Sequence, residues 1–485
     1  MNYSEEADEG NRLFQNTESN GRFHSDWLTM MYSRLKVARN LLREDGVICI
    51  SIDDSEVHNI RKICDEIFNK ENFEGHIHWR RRHNQPNDKT KMIGLVAEHI
   101  IVYSKNREEL KKNGVGKVDL TGDFSNPDND PRGDWASKPW AVASGQSGSR
   151  YKITSPTGTI FEDDWMGEEA TFKELLADNR IYFPRSGEGK PRKKYYRFER
   201  EEEGQCATNW WSHEEFGHNQ GASDALYKLF GTKNAFSNPK PVELIRALIQ
   251  IANAKDNDII LDFFSGTSTT AHSVMLLNSE DKKSRKFIMV QLNEDLDISY
   301  ESADSKNRET IKNAIDFLDG IGKPHYLTEI GKERIRRAAK KIKEETGADI
   351  DYGFRVYRVD SSNMKDIYYT PDKLGQMNLD DMASNIKEDR TGEDLLIQVM
   401  LECGLELSLP MESKEIEGKT VHYVAGNSLI ACFDDEVSES VIKKIAEEQP
   451  LRVVFRDSSF RDDSARINVE ELFKLLSPST EIQVL

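Results

Sequence analysis

The chain has 485 residues, of which 37% are hydrophobic and 31% charged. At roughly 100–200 residues per domain this predicts two to four domains, each with its own core. Its formal net charge of −18 argues against a body that attracts polyanions as a whole, so any nucleic-acid contact must come from a local basic face. No run of ~18 apolar residues is present, and MNYSEEADEGN at the start is acidic. Neither a membrane span nor a secretory signal is expected. The five cysteines Cys49, Cys64, Cys206, Cys403 and Cys432 show no C-x-x-C spacing, which predicts free thiols in a reducing cytoplasm.

Residues 1–25 are polar and without period. From Asp26, a candidate N-cap, the residues Trp27, Met30, Met31, Leu35, Ala38, Leu41 and Leu42 recur at intervals of three and four, the mark of an amphipathic helix. Asp45-Gly46 ends it, and Val47 to Ile52 is a short β-branched run that predicts a buried strand. Val57 to Ile67 reads as a helix and His99 to Tyr103 as a second strand. His76 and His78 form an H-x-H pair; this is read as strand or loop leading to Trp79, and no metal site is expected.

Residues 106–235 change character. Gly, Asp, Asn, Ser and Pro are frequent and helical periods rare, which predicts an inserted, loop-rich domain. Within it Lys190, Arg192, Lys193, Lys194, Arg197 and Arg200 interleave with Tyr195, Tyr196 and Phe198. Together with Arg80, Arg81 and Arg82 after Trp79, this run is the candidate DNA contact: cations neutralise phosphates and aromatic rings stack on exposed bases. A solvated face, with Tyr195 and Tyr196 packed inside, is the plainer alternative.

From Pro239 the α/β pattern resumes. Pro241 opens a helix with a broad apolar face through Val242, Leu244, Ile245, Leu248, Ile249 and Ile251. Ile259 to Phe264 is a third strand, Ser265-Gly266-Thr267-Ser268 a tight turn, Thr269 to Leu277 a helix and Phe287 to Leu292 a fourth strand. Small residues after a buried strand let a ligand approach the backbone, and the next helix offers free N–H groups. Glu294, after the fourth strand, is placed to hold ribose hydroxyls. With a single glycine, an ordinary strand-to-helix turn is the competing reading. Lys332 to Glu345 is a basic helix, and 350–485 a small α/β unit with strands at Phe354–Tyr357, Val421–Val424, Ser428–Phe433 and Arg452–Phe455.

Several long strings, in order along nearly the whole chain, resemble the modification subunits of type III restriction systems. They include SNGRFHSDWLTMMYSRLKVARNLLREDGVICISIDDSEVHNIRKICDEIF, EHIIVYSKN, NPKPVELIRALIQIA, IILDFFSGTSTTAHSVMLLN, RKFIMVQLNE and VVFRDSSFRDDSARINV. The resemblance implies a β-class DNA adenine-N6 methyltransferase using S-adenosylmethionine. Its expected fold is a Rossmann-like α/β core interrupted by a recognition insert and followed by a small α/β domain. The expected boundaries are 1–105, 106–235, 236–325 and 326–485. It further implies double-stranded DNA and an ATP-dependent restriction subunit as partners, a homodimer, and a cytoplasmic setting. Asp262, Phe264 and Gly266 match the family's cofactor loop, Ser268 stands where a second glycine is usual, and Thr269 and Thr270 open the following helix. Lys240 matches the segment that holds the cofactor's amino-acid end; the alternative is a solvated lysine.

In that family an Asp-Pro-Pro-Tyr strand precedes the helix at Asp26. Its aspartate and a carbonyl bind the adenine amino group, and its tyrosine stacks on the flipped base. No such string occurs here, and residues 1–25 contain no proline. The expectation is a subunit without catalytic residues of its own, inactive alone, with an unpaired strand edge in its core. The alternatives are a recognition and docking module without chemistry, or one half of a split enzyme.

Overall fold

The apolar stripe that begins at Trp27 becomes helix α1, Phe23–Leu41. Trp27, Met30, Met31, Leu35 and Ala38 are all buried along it. The helix starts ahead of Asp26, which lies in its first turn, where a carboxylate complements the positive helix end. Strand β1 is Val47–Ile52. Helix α2, Val57–Phe68, buries Val57, Ile60, Cys64 and Phe68, the three-and-four spacing of one helix face. This computed structural model describes residues 3–4, 14–15, 22–87, 89–119, 122–143, 145–365, 386–461 and 463–485. Most of the polar opening segment lies outside them. Among the described residues, no helix is long and apolar enough to cross a membrane.

Strands β2, Phe73–Arg80, and β3, Ala97–Ser104, pair antiparallel with a bulge at Phe73/Gly75, and β3 pairs antiparallel with β1. Alternation puts Ile101 and Tyr103 on one face, with α1 and α2, and Ile77, Trp79, Ile100 and Val102 on the other. Both faces are buried around Ile100 to Tyr103 of β3, which is why that stretch reads as a continuous apolar run.

Helix α3, Arg107–Asn113, is capped by Asn106. The insert follows: strands β4, Trp135–Pro139, β5, Ser149–Thr154, and β6, Ile160–Trp165; helix α4, Glu169–Ala177; strands β7, Ile181–Tyr182, and β8, Arg192–Tyr196; and helix α5, Arg197–Glu203. Strand β8 lies between β4 and β7, antiparallel to both, and β5 and β6 form a hairpin. Trp140, Ile153, Trp165, Phe172, Ile181 and Phe183 form its own core. The chain returns to the main body earlier than 235. Strand β9, Trp210–Trp211, pairs parallel with β2 as a fourth strand. Helix α6, His213–Phe216, follows. Helix α7, Asn219–Phe230, packs Leu226 and Phe230 against Phe317 and Ile330.

Helix α8, Val242–Ile251, leads to β10, Ile259–Asp262; α9, Thr269–Asp281, crosses to β11, Lys286–Met289, parallel to β10. Among the described residues, β10 pairs along one edge only, as does β1. Ile259, Ile288, Val290 and Leu292 are exposed beside that pair. Phe263 packs against the core under α1, and Arg43 forms a 2.5 Å ion pair with Asp258. Helices α10, Leu296–Ser302, α11, Ser305–Gly320, and α12, Leu327–Thr346, complete the first unit.

The two compact units are Met1–Gly353 and Phe354–Leu485, so the division falls after the basic helix and not at 326. The reason is the buried face of α12, on which Leu327, Ile330, Ile335, Ala338 and Ile342 are sealed. In the second unit, helix α13, Gly392–Glu402, precedes β12, Met411–Ile416, β13, Lys419–Val424, and β14, Leu429–Cys432. Helix α14, Glu439–Glu447, β15, Arg452–Phe455, α15, Asp463–Leu476, and β16, Glu481–Val484, follow. The five strands form one sheet in chain order, antiparallel from β12 to β14 and parallel from β14 to β16. Phe354–Tyr357, expected as a strand, joins no ladder among the described residues. Arg355 and Tyr357 instead bond through their side chains to the carbonyls of Leu407 and Leu409.

Candidate functional site

The turn between β10 and α9 is built from its own polar atoms. Asp262, at the end of β10, accepts from the Phe264 amide at 3.2 Å with one carboxylate oxygen and from Thr270 Oγ1 at 2.6 Å with the other. One side chain thus ties the strand to the turn and to the first turn of α9. The Gly266 amide donates to Gln291 Oε1 at 2.8 Å, and the Ser268 amide to the Ser265 carbonyl at 2.7 Å. Gly266 has φ +49°, and a β-carbon there would come within 3.3 Å of the Phe236 ring. Ser268 also lies in the left-handed region, at φ 57° and ψ 41°, and is buried. Glycine reaches that conformation without steric cost, so the residue at 268 carries a strain that glycine would not. Phe264 is 55% exposed.

The floor of the turn comes from α12, the basic helix whose other side carries Ile335, Ala338, Ala339 and Ile342. Arg334 is 4% exposed and donates from Nη1 to Thr267 Oγ1 at 2.8 Å and to Thr269 Oγ1 at 2.7 Å. Burial pushes its guanidinium down to about 10, so it remains charged at neutral pH. His272, on α9, has Nδ1 sealed from solvent without a partner among the described residues. Burial, then the nearby charges of Arg334 and Lys341, push it down to about 3. No pattern in the strand–turn–helix announces these neighbours; the only signal is the periodic placement of Gly331, Arg334 and Ile335 on one face of a helix far along the chain.

Strand β11 ends at Met289, short of the expected Leu292, because β10 leaves its partner at Asp262 and turns. Val290 still accepts from the Ser265 amide at 3.2 Å. Glu294 lies beyond it, with Oε1 accepting from Ser299 Oγ at 2.8 Å and its carbonyl from the Leu327 amide at 3.0 Å. Lys240 is not a free surface lysine. Its ammonium is paired with Glu98 and stands 5.2 Å from the Trp79 ring centre.

Two clefts, of about 300 and 280 Å³, share Asn238. The first is lined by Arg81, Arg82, Asn84, Gln85 and Asn219, the second by Ser223, Asn234, Phe236 and Thr310. Phe236, which limits Gly266, therefore also walls the second cleft. Amides and hydroxyls with one aromatic wall suit a polar, planar ligand.

The cationic candidates divide sharply. Arg82 is exposed, and Lys193 is half-buried with its ammonium 5.3 Å from the Tyr195 ring centre. Arg80 bonds to the carbonyls of Arg82 and His83, and Arg81 pairs with Glu98 at 3.3 Å. Arg192 donates to Ser137, and Arg197 pairs with Glu201 one turn along α5. Lys194 is a correction to the expected basic face. It is 1% exposed, paired with Asp128 and, at 3.3 Å, with Asp130. Alternation along β8 turns Lys194 inward with Tyr196, whose hydroxyl donates to Asp130 at 2.6 Å. Arg132 first, then Tyr196, hold the Asp130 carboxyl well below the usual range. His76 and His78 lie on β2, as the sequence suggests, and His99 faces them from β3.

The fold is α/β, with a small-residue turn at the carboxyl end of the parallel β10–β11 pair leading into the N-terminus of α9. The family model N6_N4_Mtase, described as DNA methylase, matches residues 5–301. This chain belongs to that DNA methylase family. It is 36% identical over 340 residues to the type III restriction-modification enzyme StyLTI Mod subunit of Salmonella typhimurium, covering 69% of this chain and 48% of that protein. It is 28% identical to the EcoPI Mod subunit of Escherichia phage P1, over 95% of this chain and 73% of that one. To the EcoP15I Mod subunit of Escherichia coli it is 27% identical, over 99% and 76%. The chain thus spans about half the length of the Salmonella relative and about three quarters of the other two.

Proposed function

We propose that this protein is the modification subunit of a type III restriction-modification system, an S-adenosylmethionine-dependent DNA adenine-N6 methyltransferase with a Rossmann-like core. The observation that carries this reading is the Asp262-braced turn with Gly266, and across Phe236 from it a cleft lined by amides and hydroxyls. Gly266 leaves open a space that a side chain would fill against Phe236, so the backbone at this point accepts the close approach that such a cofactor requires. S-adenosylmethionine, bound there, would supply an electrophilic methyl group. Asp262 keeps the turn's amides in place, Arg334 fixes the two threonines on either side of Ser268, and Glu294 is the acidic side chain for ribose hydroxyls. Lys240, already committed to Glu98, positions the entry to α8 and reaches the ligand only by exchanging that partner.

The insert between β3 and β9 is the proposed recognition region for double-stranded DNA, with Arg82 and Lys193 as its phosphate contacts. A restriction ATPase subunit and a second copy of this chain are the proposed partners, in the cytoplasm. A second reading rests on the sequence: no Asp-Pro-Pro-Tyr string occurs in the 485 residues. On that reading the chain binds cofactor and DNA but transfers no methyl group alone, either as a docking module or as part of an enzyme completed by another polypeptide. Calorimetry with S-adenosylmethionine, followed by methyl transfer to mixed-sequence duplex DNA, tests both. Binding with transfer supports a self-sufficient enzyme, binding without transfer the second reading, and failure to bind overturns the assignment of the turn.

A further inference from the structure

We propose that His76, His78 and His99 form a binding site for a divalent first-row transition ion of the zinc class. His76 and His78 are two apart on β2 and so share a face of the sheet, and His99 is the direct cross-strand partner of His78 on β3. One ligand atom from each lies within 4.8 Å of the others. Three imidazoles around a tetrahedral ion need nitrogens roughly 3.3 Å apart at ordinary metal–nitrogen lengths, so small side-chain rotations bring the set to that geometry.

The hydrogen bonds already select the lone pairs. His99 Nε2 lies 2.9 Å from Asp54 Oδ1, which requires the proton on Nε2 and leaves Nδ1 free to accept. His76 Nε2 is 2.9 Å from that Nδ1 and donates to it in the absence of an ion. Transfer of the His76 proton to its Nδ1 opens both nitrogens to a cation without net proton release. Asp54, His99 and the ion then form the carboxylate–imidazole–metal series that raises ligand basicity. His58 and Arg61 approach from α2. Arg61 is turned to Asp65 at 3.2 Å and lies 3.5 Å from the Phe73 ring centre, so its charge is partly neutralised. Three imidazoles leave a fourth position for water, and the ligand type favours Zn(II), Cu(II) or Ni(II) over Mg(II) or Ca(II).

The test uses the reduced full-length chain, with Zn(II) in calorimetry and Co(II) in visible absorption. One equivalent of Zn(II) is expected to bind, and Co(II) to show d–d bands of nitrogen ligation without a thiolate charge-transfer band. His78→Asn, whose ring carries no hydrogen bond in the ladder described above, should weaken Zn(II) about a hundredfold while leaving the metal-free melting temperature unchanged. Asp54→Asn should weaken it about tenfold. His76→Gln is the second variant should His78→Asn fail to fold. Absence of saturable binding at one equivalent overturns the proposal. So does a thiolate band from Cys206, or binding that survives His78→Asn and His76→Gln but is lost in His218→Asn, which would place the ion in the separate His83, His213 and His218 group.

Discussion

Ser268 Oγ occupies the space that a β-carbon on Gly331 would enter, at 2.7 Å, so the turn and helix α12 meet at one glycine. A methyl group at 331 would also lie 3.3 Å from the Gly266 carbonyl. Gly331→Ala is expected to destabilise by about 1–3 kcal/mol through overpacking. Ser268→Gly is expected to stabilise by about 1 kcal/mol by removing a left-handed non-glycine residue. The two should couple: with Ser268→Gly present, the alanine at 331 loses its main clash. A double-mutant cycle from urea denaturation measures this, and strict additivity would show that the two residues do not constrain each other.

Arg334 is the single guanidinium joining Thr267 to Thr269. Arg334→Met removes both donors and should lower S-adenosylmethionine affinity about tenfold, with a stability loss of about 1–3 kcal/mol for the unpaired hydroxyls. Arg334→Lys should recover stability only in part, because an ammonium does not offer a planar pair of donors to two hydroxyls. Calorimetry on both variants separates the losses. Unchanged affinity in Arg334→Met would remove this residue from the support of the turn.

His272 gives the region of the turn a pH dependence. Its folded value, pushed down to about 3, lies below the ordinary value of 6.5, so the unfolded chain takes up the proton first as pH falls. The stability that His272 contributes is therefore complete above pH ~6.5 and is lost progressively toward pH ~3. Urea midpoints at pH 7 and pH 5 should differ more for the parent than for His272→Leu. Equal differences would show that this imidazole is not the titrating group.

The strand–turn–helix at Asp262 was legible because its cause is local: a buried apolar run, a small-residue turn and a helix opening on hydroxyls follow each other without interruption. Arg334 and Gly331 were not, because their contacts with the turn join residues more than sixty apart and leave no spacing rule behind. Phe354–Tyr357 failed for a related reason. Its β-branched and aromatic residues have strand propensity, but propensity records a fit to a half-buried surface, and the ladder partner is supplied by the rest of the fold. His99 was equally hidden, since only the β2–β3 register brings it to His78.

The basic–aromatic run 192–198 shows where composition misleads, and it supplies the last prediction. Arg192, Lys193 and Lys194 are equivalent as charges, but strand alternation sends Lys194 between Asp128 and Asp130 and leaves Lys193 on the outer side. Lys194→Met removes the buried ammonium between Asp128 and Asp130, leaving Asp130 to Arg132 and Tyr196 and Asp128 to Trp135, and should lower the melting temperature by a few degrees. Lys193→Gln and Arg82→Gln should leave melting unchanged and weaken duplex DNA binding. Each should reduce the slope of log affinity against log salt by about 0.9, the loss of one phosphate contact. Fluorescence anisotropy on duplex DNA across a salt series measures the slope, and the double variant should reduce it by about twice as much. A slope unchanged in both single variants would move the phosphate contacts away from Arg82 and Lys193, while the stability result for Lys194 would stand by itself.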